Sequence, residues 1–204
     1  MAPRWVLAAG LGVLATLCLA WADSWTSIRT AAQRVNSLAA EFSQTKQLKI
    51  LAHPIRAEGR LYYQRPGRIR WEYTEPIRSV LISNQEGIRR VTWRGGRYHP
   101  DADAKLKPVQ MVLGQLELWL RGDFSKSTLF VATLEAGPPV RVKLVPRDKG
   151  LGKLIAAVYV VLSVTPGVVD TIEIWEGPDA VTRIQLKNVK VNQPLPARTF
   201  QPPA

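Results

Sequence analysis

Apolar residues recur along this chain at two periods, and the switches between them lay out its elements. From Ser24 the positions Ile28, Ala31, Val35, Leu38 and Phe42 follow helical spacing, with Ser24 or Ser27 available to cap the start. The end of that helix is ambiguous, because Leu38, Ala40, Phe42, Leu48 and Ile50 also fit an alternating strand from about residue 38. Between Ile55 and Tyr73 two runs rich in β-branched and aromatic residues flank Arg65-Pro66-Gly67-Arg68, which predicts a hairpin. Parity narrows its register. A two-residue loop would pair Tyr63 with Arg70 and divide the apolar residues between faces. A three-residue loop of Pro66, Gly67 and Arg68 pairs Tyr63 with Trp71 and gathers Leu61, Tyr63, Ile69, Trp71 and Tyr73 on one face. Arg65 then stands at the rim of that face and points toward it.

Farther on, Arg78 to Ser83 and Ile88 to Trp93 flank a turn at Asn84 to Gly87 and predict a second hairpin. Pro108 opens a run with Val109, Val112, Leu113, Leu116, Trp119 and Leu120 at helical spacing, stopped by Gly122. With Met111 and Leu118 this helix is apolar over more than a stripe, so it is buried on most sides or covers something apolar. The last third predicts five strands, Thr128–Leu134, Val140–Val145, Ile155–Val164, Val168–Trp175 and Ala180–Val191, at the spacing of an antiparallel meander. Gly150-Leu151-Gly152-Lys153 is expected to form a turn between strands, and the Pro-rich tail from Gln193 to be extended. The pattern sums to one many-stranded sheet with one or two long helices.

The first residues change the compartment. Arg4, an apolar run from Trp5 to Leu19 and then Ala20-Trp21-Ala22 have the order of a secretory signal, with cleavage expected after Ala22 and residues 23–204 forming a single domain. Leu17 precedes Cys18 where a lipobox wants a small residue. With Cys18 removed the exported chain has no cysteine, so disulfides, cysteine-type zinc sites and thiol nucleophiles are excluded. After residue 22 stand 27 basic and 16 acidic residues. That excess favours anionic partners, which for an exported protein means lipid headgroups or acidic surfaces and not nucleic acid.

Catalytic chemistry is sparse. His53 and His99 each stand beside proline with no second ligand at metal spacing, and no Gly-x-Ser-x-Gly elbow is present. Asp101 and Asp103 near His99 fit a solvated turn, and Glu72 and Glu75 are unremarkable strand carboxylates. No enzyme, metal or cofactor is expected, and binding is the leading class.

Phe42-Ser43-Gln44-Thr45, the run from Gly59 through Arg65-Pro66-Gly67-Arg68 to Tyr73, Pro76, Leu144-Val145-Pro146, Asn192, Leu195, Phe200 and Pro202 together resemble the LolA-type outer-membrane lipoprotein carriers. Asn84-Gln85-Glu86-Gly87 departs from the family, which commonly reads Asp-Gly there. The resemblance implies a mainly β, α+β fold: an incomplete, half-open antiparallel β-barrel with an apolar cavity covered by helices. It also favours a strand from about Leu38 to Leu51. By the same likeness the protein is a periplasmic monomer that shields the acyl chains of a lipoprotein or other lipid cargo. An inner-membrane ABC transporter is then the donor and an outer-membrane receptor the acceptor.

The resemblance makes Arg65 a latch that bonds backbone carbonyls of the lid. Leu61, Tyr63, Ile69, Trp71, Tyr73, Leu81 and Trp93 become the candidate cavity wall. Ile28 and Val35 on the first helix, with Val109, Val112, Leu113, Leu116 and Leu120 on the second, become the candidate lid. A lipid-sensing periplasmic regulatory domain and a carrier of a lipid other than lipoprotein are the alternatives on the same fold. A secreted hydrolase would need a nucleophile that the chain does not display.

Overall fold

The computed structural model describes residues 24–102, 107–135 and 137–203. The expected signal segment lies outside them, as does Asp103; the side chains of residues 107–111, Val109 included, are also outside the description. Eleven antiparallel strands form one open sheet: β1 (Ser37–Leu48), β2 (Ile55–Gln64), β3 (Arg68–Glu75), β4 (Ser79–Asn84), β5 (Gly87–Arg94), β6 (Arg97–Pro100), β7 (Phe130–Glu135), β8 (Arg141–Pro146), β9 (Ala157–Leu162), β10 (Val169–Trp175) and β11 (Ala180–Val191). Their order is β6-β5-β4-β3-β2-β1-β11-β10-β9-β8-β7. The chain therefore enters at mid-sheet, meanders to one edge, crosses to the other edge and meanders back until β11 closes against β1. The crossing is made by helix α2 (Lys107–Leu120), which is why an apolar helix lies across the inner face. The edge strands β6 and β7 do not pair with each other, so the barrel stays half open.

Inner-face positions follow the period of two. Leu38 faces Tyr63 and Ala40 faces Leu61 across β1 and β2; Leu61 faces Trp71 and Tyr63 faces Ile69 across β2 and β3. Leu186, Ile184, Ile172, Val160, Val158, Leu144 and Val142 continue the apolar face through the second half and are all buried. Val80 and Ile82 are buried on the other face, where the C-terminal segment covers them. There the expected extended tail folds a 3-10 turn at Ala197–Phe200 and buries the Phe200 ring. Arg70 Nη1 fixes the turn by donating to the carbonyls of Thr199 (3.3 Å) and Gln201 (3.0 Å).

Three local expectations need correction. The hairpin loop has three residues, but they are Arg65, Pro66 and Gly67, so Gln64 pairs with Arg68 and Tyr63 with Ile69. Gly67 is the loop residue with left-handed backbone, φ 58°, a conformation glycine takes without a Cβ penalty, and this pulls the loop one residue back. The pairing slides by two residues, so the predicted faces survive. Second, α1 (Trp25–Gln33) stops well short of Leu38, leaving Val35 beyond its end although buried. The stop is tertiary: Asn192 Oδ1 accepts from Asn36 N (2.7 Å) and Asn192 Nδ2 donates to Arg34 O (2.9 Å). Third, Gly150–Gly152 belongs to a one-turn helix, α3 (Lys149–Gly152), because Asp148 accepts from Gly150 N and Leu151 N and caps its orphan donors. Ser24 does cap α1, in a reciprocal box with Ser27.

Candidate functional site

The inner face divides into a filled end and a hollow end. At the end nearest α1, Leu38, Leu61, Tyr63 and Ile69 are at most 1% exposed and pack with Ile28, Val35 and Leu120 into the core. Toward the other end, where β3 finishes and β4 begins, the sheet and α2 separate and leave a cavity of about 420 Å³. Its floor is aromatic, Trp71 and Tyr73, backed by the buried Phe42 ring, which lies 4.6 Å from Trp71 between ring centroids and 5.3 Å from Tyr73, edge-on. Its roof is Val112, Leu113, Leu116 and Trp119 of α2, and its far wall is Val158, Ile172, Ile174 and Ile184. Gln44, Ser79, Arg90 and Thr182 supply the polar groups, with Gln44 Oε1 accepting from Tyr73 Oη at 2.8 Å. A largely apolar hollow with a few convergent polar groups is the ordinary form of a small-molecule site.

The predicted wall residues therefore part company. Trp71, Tyr73 and Leu81 line the hollow. Leu61, Tyr63 and Ile69 are core at the filled end. Trp93 is misplaced: it stands on the opposite face of β5 from Thr92 and Arg90, 37% exposed, with its ring 4.9 Å from that of Tyr98. A β-strand alternates faces, and Thr92, the buried neighbour, holds the inner position that parity from Leu81 and Arg90 assigns. Of the lid candidates, Val112, Leu113 and Leu116 meet the hollow, Leu120 and Val35 are core, and Ile28 lines a second, more open cavity of about 840 Å³ between α1 and the 137–140 and 162–167 segments. Sequence reasoning missed Gln44, Arg90 and the β9–β11 wall, whose inward parity was readable but whose nearness to α2 was not.

Arg65 sits beside α1. Its Nη2 donates to Ala32 O at 3.1 Å, and its backbone N–H donates to Asn36 O at 2.9 Å. Two glycines with left-handed backbone seat the same helix: Gly167 (φ 79°), where a Cβ would stand 2.5 Å from Ala31 O, and Gly122 (φ 70°), where one would stand 2.9 Å from Arg29 Cα. Asp123, buried, holds Arg29 at 3.1 Å from the segment that follows α2. The first helix is thus fastened by one guanidinium, one ion pair and two close backbone approaches.

Burial pushes the Tyr73 phenol above its ordinary value of 10.0, against smaller opposing pulls from Trp71 and Arg90; burial also raises Tyr63, against Arg65. Both groups favour the neutral form when folded. Stability is then fully present below about pH 10 and falls as the pH rises through the folded pKa, because the unfolded chain loses those protons first. Tyr73→Phe is expected to flatten that alkaline limb while weakening the floor by the lost Gln44 bond, about 1 kcal/mol at neutral pH. Urea midpoints measured from pH 8 to 11 check this, and an unchanged alkaline slope in the variant would contradict it.

Among the described residues no group of three or more His, Cys, Asp or Glu is placed to hold a metal ion, and no helix is long and apolar enough to cross a membrane. The family model of the outer membrane lipoprotein carrier protein LolA matches residues 33–113, which run from the end of α1 through the Arg65 hairpin and the aromatic floor into α2. Over that segment the chain is similar to LolA. An outer-membrane lipoprotein carrier protein of Pseudomonas aeruginosa (strain UCBPP-PA14) is 29% identical to it over 188 residues, covering 89% of this chain and 86% of that protein. One of Proteus mirabilis (strain HI4320) is 38% identical over 80 residues, 35% of this chain, and the match spans 40% of that protein's length. Among solved structures, a LolA superfamily protein from Nitrosomonas europaea is similar with a TM-score of 0.44 and 10% identity, over 88% of this chain and 98% of that one.

Proposed function

We propose that this LolA-like chain is a periplasmic carrier that shields the acyl chains of a lipoprotein, or of a related lipid, while they cross between membranes. The observation that carries this reading is the hollow between α2 and the aromatic floor, apolar on its roof, floor and far wall. Burying hydrocarbon returns ~0.8 kcal/mol per CH₂, so one long acyl chain in a dry hollow is worth on the order of 10 kcal/mol. So firm a grip opposes delivery. A carrier needs a closed, empty state that competes with cargo, and the fastening of α1 by Arg65 supplies one. In this reading α1 and α2 are the lid, Arg65 its latch, and Trp71, Tyr73 and Leu81 the wall. In the same reading an inner-membrane ABC transporter loads the carrier and an outer-membrane receptor empties it. The chain acts by binding and not by catalysis.

Native mass spectrometry of the protein purified from its own periplasm tests the reading directly. Adducts at the masses of acylated proteins or lipids are expected, together with displacement of an apolar dye by added fatty acid. A chain that emerges bare and takes up no dye is not a carrier.

A further inference from the structure

The exposed large apolar side chains gather at one end of the half-barrel. Ile50 stands in the β1–β2 connection, Ile55 at the start of β2, Ile77 in the β3–β4 turn, Trp93 beside the β5–β6 turn, Leu154 just after α3 and Trp175 at the end of β10. Antiparallel pairing brings these six positions to a common rim: Lys46 faces Ile55, Glu58 faces Glu75, Tyr73 faces Ser79, Ser79 faces Thr92, Leu48 faces Ala180 and Trp175 faces Ala157. Ile77 is 64% exposed, Leu154 69% and Ile50 90%, so these tips are presented to solvent and are not merely grazed by it. Among the described residues, Val164 is the exposed large apolar side chain at the opposite end.

Two further observations say what this rim meets. The same connections carry exposed cations in excess: Lys49, Arg56, Arg78, Arg97, Arg147, Lys149 and Lys153, with Arg94 paired to Asp101 at 3.7 Å, against the acids Glu58, Glu75, Asp148 and Asp179. Asp179 is paired with Lys49 at 3.2 Å, and Asp148 is occupied in capping α3. The hollow also reaches this end. Tyr73, Ser79, Ile155, Ile174 and Thr182, all on its lining, lie within two residues of the strand ends that form this rim, whereas the other end is filled. Apolar tips interleaved with Lys and Arg, with tryptophan at the boundary, have the composition of a surface that settles into the headgroup layer of a negatively charged bilayer.

We propose that this rim docks on an anionic lipid bilayer and presents the mouth of the hollow to the acyl layer, so that a chain enters or leaves without crossing water. The proposal rests on reading the hollow as the acyl site. Its geometry answers a difficulty of that reading, since the exposed path from membrane to hollow would otherwise be the costly step.

The test is flotation of the protein, as purified from its own cells, with vesicles of phosphatidylethanolamine and phosphatidylglycerol, compared with vesicles of phosphatidylcholine alone. Binding is expected to the former and little to the latter. Ile50→Ser, Ile77→Ser and Leu154→Ser combined should lower the partition coefficient by more than about tenfold. Arg78→Gln and Lys153→Gln should each lower it roughly fivefold, and only on the anionic vesicles. Val164→Ser, at the far end, should leave it unchanged. Unaltered urea midpoints and unaltered dye uptake in the rim variants separate docking from folding and from the acyl site. Should the wild type ignore both vesicles, bind only vesicles that hold a membrane protein, or bind equally after the rim substitutions, docking on lipid is overturned. Should the vesicle results hold while no dye enters the hollow, the carrier reading fails and the docking surface stands alone.

Discussion

Arg65→Leu is expected to leave the chain folded and to slow the transfer of cargo to a lipid-free acceptor by about tenfold or more. The side chain contributes one charged hydrogen bond to Ala32 O, a class of interaction worth about 1.5–3 kcal/mol, or roughly ten- to hundredfold in an equilibrium between open and closed lid. Its removal spares the other fastenings of α1, namely the Arg29–Asp123 pair and the close seats at Gly122 and Gly167, so global unfolding is not the outcome. The closed empty state is what loses stability, and with it the competition that expels cargo. Arg65→Lys should fall between, since an ammonium keeps the charge without the planar fork of donors. Transfer of a fluorescent acyl cargo followed in real time, with a urea midpoint for each variant, checks the expectation. Transfer at the wild-type rate by Arg65→Leu would show that this guanidinium is not a latch.

The largest expected loss of stability is at Gly59. It faces Phe42 on β1 and Tyr73 on β3, and a Cβ built there would overlap both the Glu72 carbonyl oxygen and the Phe42 ring. The carbonyl belongs to a central strand and cannot move without disturbing the β2–β3 ladder, which already carries a bulge between Glu58 and Gly59. The ring cannot move without vacating its contacts with Trp71 and Tyr73. Gly59→Ala is therefore expected to cost about 3 kcal/mol or more, at the upper end of overpacking, and to spoil the floor of the hollow as well. A lowered urea midpoint together with lost dye uptake is the expected pair of results. A variant as stable as the wild type would mean that the floor is looser than its packing implies.

What the sequence by itself determined was periodic and local. The alternation through Leu61, Tyr63, Ile69, Trp71 and Tyr73 assigned one apolar face even though the pairing partner was two residues off, because side-chain direction depends on parity alone. The long strand Ala180–Val191, the helix begun at Pro108 and the cap at Ser24 were legible for the same reason: each is written in neighbours within a few residues. Of the residues that resemble the LolA-type carriers, Phe42 to Thr45 and the run from Gly59 to Pro76 lie within the family match, while Leu144 to Pro146 and Asn192 to Pro202 lie beyond it.

Only the tertiary structure decided which inward residues are core and which line a hollow. Leu61 and Trp71 share a face and are cross-strand partners, yet one is filled over and the other is open to the hollow, because α2 and α1 cover the two ends of the sheet unequally. The end of α1 was likewise beyond local reading, since its decisive hydrogen bonds come from Asn192 at the far end of the chain. Trp93 shows the limit most plainly. Its aromatic character suggested a wall, but its face was decided by the β4–β5 register, in which the smaller Thr92 takes the inner position. Residue type states what a side chain would gain from burial, while long-range pairing and helix placement determine whether that burial is offered.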